Sequence, residues 1–294
     1  MSRALAVHPG PFRRVHLTGT PMAAHRNELK RCLQLLAAKG ARELVLVNRP
    51  TPIPAHLQLP GALFACAASH TRLCLGCWTL PGTGTGTLPP AAVYFPRLRE
   101  LGLGSVAIGE RGLAFLLENC CPVLEKLVVV GSHRRPAPIR IRSSSLRCVR
   151  VCSSTVPEID VGHAPALERL LLCCGVWSRS CLLFTVLSRI KIGYAPNLRF
   201  LGFLVPGMQE LEIIGSTVLP SVQVLAIQVK LGTRTKATAV PRFLGYFPNT
   251  ETLYVHSEDD DIHQLSWDPL TSIRYYQWQR RPSRRPHPQV LGGG

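Results

Sequence analysis

The sequence predicts an α/β solenoid, an open curved parallel sheet whose strands are joined by helical or extended return segments. Three observations predict it. A short apolar motif recurs along nearly the whole chain, its intervals approximate one supersecondary unit, and apolar pairs of strand period recur about ten residues from it in the middle of the chain.

The motif has the form Pro-x-Leu-x-x-Leu-x-Leu. It occurs at Pro96 with Leu98, Leu101 and Leu103, at Pro122 with Leu124, Leu127 and Val129, at Pro165 with Leu167, Leu170 and Leu172, and at Pro196 with Leu198, Leu201 and Phe203. Pro220 with Val222, Leu225 and Ile227, and Pro248 with Thr250, Leu253 and Val255, continue it; Leu146, Val149 and Val151 fit without the proline. The last apolar residues of successive copies lie 21 to 31 residues apart, and Leu75, Leu46 and Leu17 extend the series towards the N-terminus. Side chains alternate along a strand, so each Leu-x-Leu pair faces one side and the residue between them faces the other. One such strand cannot bury its apolar side alone, whereas stacked copies line a common interior. This motif at this period is that of leucine-rich repeats.

The return segments follow from their own periodicity. Residues 28–39 place Leu29, Leu33 and Leu36 on one helical face with Gly40 as a stop, and residues 110–119 present Leu113, Leu116 and Leu117. In the middle of the chain the returns read as extended: Ile139 with Ile141, Ile159 with Val161, Ile190 with Ile192 and Leu211 with Ile213 predict a second, weaker sheet on the convex side. A late helix is expected over 241–247, with its proline at the start. The stretch from Val161 to Leu172 also repeats as Ile192 to Phe203 at an offset of 31, which places an insertion near 173–180; a second insertion is read near 81–90. The solenoid thus spans 1–262, and 263–294 is read as a divergent, disordered basic tail without repeat register.

Composition narrows the function classes. With 294 residues, 46% hydrophobic and 17% charged, an extensive core is available and wholesale disorder is excluded. No apolar run approaches the roughly 18 residues a membrane helix needs, so no membrane partner is expected. The N-terminus lacks an apolar signal core; its arginines, with no acid before Glu28, faintly resemble a transit peptide, but Val15 and Leu17 fit the first coil. A cytoplasmic or nuclear location is expected. The cysteines number 11, which favours free thiols over a disulfide framework. Cys74 and Cys77 form a CxxC preceded by His70, but no second pair has matching spacing, so neither a metal site nor any other cofactor is expected.

The formal charge of +17 comes almost wholly from dispersed arginines. The one cluster, Arg280, Arg281, Arg284 and Arg285, is a candidate for nuclear import or loose nucleic-acid binding, the lesser alternative for the whole chain. The glycine-threonine run at 82–87 lacks the spacing of a phosphate loop, and the acidic run at 258–261 lacks that of a calcium loop. Ten histidines stand without an adjacent nucleophile, and no catalytic constellation emerges. The chain is read as a binding protein, not an enzyme.

In a solenoid the residues free to serve a partner are those that flank and split the apolar pairs of the concave strands. They include Arg72 and Cys74, Glu100 and Gly102, Lys126 and Val128, Cys148 and Arg150, Arg169 and Leu171, Phe200 and Gly202, and Thr252, Tyr254 and His256. A protein partner is inferred, with Arg150, Arg169, Phe200 and Tyr254 as the preferred contacts, because arginine and aromatics carry binding energy disproportionately.

The segments HPGPFRRVHLT, LQLLAAKGARELVLVN, FPRLRELGLGSVAI, LLENCCPVLEKLVVVG, YAPNLRFLGF and FPNTETLYVHSEDDD together resemble the leucine-rich region of grass F-box/LRR proteins of the FBD type, over residues 2 to 262. The resemblance implies the substrate-recognition part of an SCF-type (Skp-cullin-F-box) E3 ubiquitin ligase receptor, or a stand-alone scaffold or decoy. It further implies an unknown client protein as partner. The resemblance begins within the repeat region and takes in no F-box segment, so a Skp-type adaptor and a cullin are expected only where an F-box is supplied elsewhere.

Overall fold

The alternating apolar pairs form strands that stack as the repeat predicts. The computed structural model describes residues 2–18, 22–48, 57–80, 93–131, 138–152, 156–172, 187–229 and 239–257. These all belong to the unit Met1–Asp260; the separate unit Asp261–Gly294, and with it the basic tail, lies outside them, as do both predicted insertions. In chain order the first coils comprise α1 (Ser2–Val7), β1 (Arg14–Leu17), α2 (Arg26–Ala38), β2 (Glu43–Val47), β3 (Leu57–Gln58), β4 (Arg72–Gly76) and β5 (Trp78–Thr79). The central coils comprise β6 (Glu100–Gly104), α3 (Glu110–Phe115), β7 (Lys126–Val130), β8 (Ile139–Arg142), β9 (Cys148–Cys152), β10 (Glu158–His163) and β11 (Arg169–Leu172). The last coils comprise β12 (Arg189–Tyr194), β13 (Phe200–Leu204), β14 (Glu210–Ile213), β15 (Val224–Val229), α4 (Ala239–Leu244) and β16 (Thr252–Ser257).

Ten of these strands make one parallel sheet in the order β1-β2-β4-β6-β7-β9-β11-β13-β15-β16. The register aligns the apolar pairs across coils: Leu44 and Leu46 pair with Leu73 and Leu75, these with Leu101 and Leu103, and these in turn with Leu127 and Val129. All eight are buried, and burial of each side chain contributes roughly 1.5–3 kcal/mol. A backbone lock links the entries of successive strands of this sheet. The Arg13 carbonyl accepts the N–H groups of both Arg42 and Glu43, and the same forked arrangement repeats at Arg42, Thr71, Arg99, Glu125, Arg147, Glu168, Arg199 and Gln223. This column satisfies the backbone groups at the entry to each strand and ties each coil to the next.

The returns vary as their sequences require. In α2, Leu29, Cys32, Leu33 and Leu36 form the buried stripe. Its end is a Schellman closure: Gly40, at φ +64, donates its N–H to the Ala37 carbonyl and Ala41 donates to Leu36. α3 is shorter than expected, because Leu116–Cys120 widens into a π-type turn that buries Leu116, Leu117 and Cys120 together. From β8 onward the predicted second sheet is present, parallel, in the order β14-β12-β10-β8. Its register, Val161 opposite Ile192, carries the same offset of 31 as Arg169 opposite Phe200 on the concave sheet, so the internal duplication is a true structural repeat. The late helix begins at Ala239, so Pro241 is its third residue, still within the first turn, where no intrahelical N–H is needed.

One core assignment is corrected. Phe203, expected to point inward, stands at φ +61 beside a bulge, and Leu204 takes the buried place opposite Ile227. The extra residue shifts the register, and the larger ring moves out of the interior. Where the N-terminal strands end, the chain bends through left-handed residues, Cys77 (φ 59), Ser105 (φ 46) and Gly131 (φ 92). At Gly131 a Cβ would come within 2.5 Å of Ser105 Oγ, so the stacked bend requires glycine there.

Candidate functional site

The strand alternation that buries the Leu-x-Leu pairs sets a second set of residues on the opposite face of the ten-stranded sheet. The parallel register arranges these in rows across the coils. One row reads Arg14, Glu43, Arg72, Glu100, Lys126, Cys148, Arg169, Phe200, Val224, Thr252. The next reads His16, Val45, Cys74, Gly102, Val128, Arg150, Leu171, Gly202; on β15 and β16, Ala226 pairs with Tyr254 and Gln228 with His256. Every concave candidate read from the sequence therefore lies on this face. Arg14 and Glu43 were missed, although they occupy the position before the apolar pair in the copies ending at Leu17 and Leu46.

The electrostatics divide the face in two. Over β1 to β6 the charges alternate and satisfy one another. Arg14 makes a forked contact with Glu43, Nε to Oε2 at 2.8 Å and Nη2 to Oε1 at 3.1 Å. Arg72 lies 3.9 Å from Glu43 and 3.3 Å from Glu100. From β7 to β16 the alternation stops: the described concave positions carry Lys126, Arg150 and Arg169 and no aspartate or glutamate. These cations surround the half-buried Cys148, whose thiol is pushed up by burial, with Glu168 from the strand entry adding to it, while Arg169, Lys126 and Arg150 pull it down. Arg150 donates from Nε to Cys152 Sγ at 3.3 Å.

Aromatic side chains share this half. Phe200 lies low on the sheet, so close to Gly202 that a Cβ there would come within 2.6 Å of its Cε1. Tyr254 is 49% exposed on β16. Phe203, displaced from the interior by the bulge, brings its ring within 5.4 Å of His256 across β15. No sequence pattern signals this, because a bulge of one residue leaves the apolar pattern unchanged. Alanine at position 226, 1% exposed, keeps the sheet low between the two aromatic strands.

The convex sheet has the opposite character. Arg189 pairs with Glu210 at 3.1 Å, Lys191 reaches Glu158 at 3.3 Å and Glu212 at 3.9 Å, and Arg140 pairs with Glu110 at 2.8 Å. Its cations are largely matched by acids of its own strands and, for Arg140, by Glu110 of α3. The cysteine pair of the CxxC is split by the fold, Cys74 on the concave face and Cys77 at the left-handed bend, and among the described residues no group of three His, Cys, Asp or Glu side chains is placed to hold a metal. No described helix is long and apolar enough to cross a membrane. Arg280, Arg281, Arg284 and Arg285 lie outside the described residues.

An open parallel sheet that buries repeated leucines on one side and presents ordered rows of polar and aromatic residues on the other defines a leucine-rich-repeat protein. Over residues 29–255 the chain matches the family model described as FBD-associated F-box protein At5g56370, LRR repeats, and it belongs to that family. No curated protein and no solved structure matches it significantly.

Proposed function

We propose that this chain is the client-recognition part of an SCF-type E3 ubiquitin ligase receptor, and that the client lies on the concave sheet. Membership of an F-box-associated repeat family supports the assembly. The observation that carries the choice of face is the run of cations from β7 to β16 with no carboxylate among the described concave positions, joined by the half-buried Phe200 and the exposed Tyr254, set against a convex sheet whose charges are largely paired. Arginine and aromatic side chains on a preformed surface lose little freedom on binding and supply much of the affinity. The chain itself performs no chemistry in this reading. It raises the effective concentration of client lysines near the ubiquitin-loaded enzyme, and the adaptor and cullin supply the rest of the assembly through an F-box.

The test is affinity purification of the tagged protein from plant cells, alone and fused to an F-box, with bound proteins identified by mass spectrometry. The proposal expects a reproducible client in both samples, adaptor and cullin in the fused one, and increased ubiquitination of the client. A client that is bound but never modified in the fused sample would make the chain a free-standing recognition module.

A further inference from the structure

We propose that the segment received by the concave sheet is acidic and extended, and that it docks between β7 and β16 through Lys126, Arg150 and Arg169, with Phe200 and Tyr254 as flanking contacts. This rests on the reading that the concave face binds protein, and it names the partner's chemistry.

Charge complementarity carries the inference. Six strands, about 24 Å of arc at the usual strand spacing, present three cations and no carboxylate among their described concave positions. Lys126 and Arg169 share a row two strands apart, roughly 10 Å. That separation matches carboxylates three residues apart on one side of an extended, polyproline-like segment, about 9 Å. Arg150, on the intervening strand and in the neighbouring row, meets the segment from the other side. Arg199, exposed just before Phe200, prolongs the positive surface at the rim.

A protein segment fits this face better than a nucleic acid does. A polyphosphate following the arc beyond β7 meets Glu100 and Glu43, already paired with Arg72 and Arg14, so that half of the face adds no net attraction for it. A peptide can place its acids over β7 to β11 and neutral or mixed residues elsewhere. Phe200, laid flat over Gly202, offers an apolar surface to a side chain.

The test is selection of 12-residue peptides displayed on phage by the purified 294-residue protein, followed by anisotropy titration of the enriched peptides and of a 20-nucleotide single strand. Enriched peptides are expected to carry net negative charge. Their affinity should fall at least tenfold in the K126E/R150E/R169E variant and remain within twofold in R26E/K30E/R31E, which makes the same charge change on α2. Neutral or basic peptides that lose binding on F200A/Y254A would overturn the acidic partner and leave the concave reading standing. Peptides indifferent to both sets of concave substitutions, or no enrichment at all, would overturn both. Binding of the oligonucleotide that is stronger than that of any peptide, and lost in K126E/R150E/R169E, would replace the protein partner with nucleic acid.

Discussion

Glu100 and Lys126 stand side by side in register on β6 and β7, and the charge alternation of the concave sheet ends between them. On one side Arg14, Glu43, Arg72 and Glu100 form a paired ladder; on the other, the described concave positions carry cations and aromatics without acids among them. A single polarised surface follows from ten copies of one motif, because the residues that build the core leave their neighbours free to vary.

The alternation itself is testable at adjacent positions. Leu127 is 0% exposed in the interior, and Lys126 lies on the concave face. Leu127→Ala is expected to cost about 2–5 kcal/mol in urea unfolding, whereas Lys126→Ala should change stability by about 0.5 kcal/mol or less. Comparable losses at both positions would contradict the assigned faces.

Gly131 is required by the bend that follows β7. Gly131→Ala forces a Cβ towards Ser105 Oγ at a φ of +92, and a loss of roughly 1–3 kcal/mol is expected. Gly61, with open space around its Cβ position and no positive φ, is the matched control, and Gly61→Ala should be close to neutral in the same denaturant titration.

Alkaline pH should weaken the fold through Cys121. Burial pushes its thiol from the ordinary 9.0 up to about 12, so the folded state holds its proton where the unfolded chain releases it. The stabilisation is complete below pH 9 and is lost as pH rises through about 12. In Cys121→Ala the fall in stability between those pH values should be shallower than in the wild type, read as the difference between two pH series of urea midpoints. Parallel slopes would show that Cys121 does not titrate differently in the two states.

The last described coil exposes the apolar residues its motif directs inward. Leu253 is 42% and Val255 53% exposed, against 0% for Leu225 and 1% for Ile227 in the coil before it. An apolar strand of this kind promotes self-association. L253S/V255T should lower the associated fraction in light scattering without altering the concave face; unchanged association would place the contact elsewhere.

Much of this architecture was legible in the sequence because burial imposes a strict pattern. Leu44, Leu46 and their counterparts repeat with strand period, and Ile159 with Val161 announced the convex sheet in the same way. Phe203 was misread because the bulge depends on backbone geometry that no side-chain pattern records. The coil-locking carbonyls at Arg13, Arg42 and Arg99 are invisible to sequence, since any residue supplies a carbonyl. The charged residues of the concave face were each identifiable, but their segregation emerged only from the register, which places Arg14 against Glu43 and leaves Arg169 between Cys148 and Phe200.

Recognition is assigned to the concave sheet. The most direct test compares the partners captured from cells by the wild type, by R169E/F200A on the concave face and by R189E/Y194A on the convex face, with equal thermal unfolding confirmed for all three. The concave variant is expected to lose the partners of the wild type and the convex variant to keep them. Retention by the concave variant with loss by the convex one would contradict that assignment.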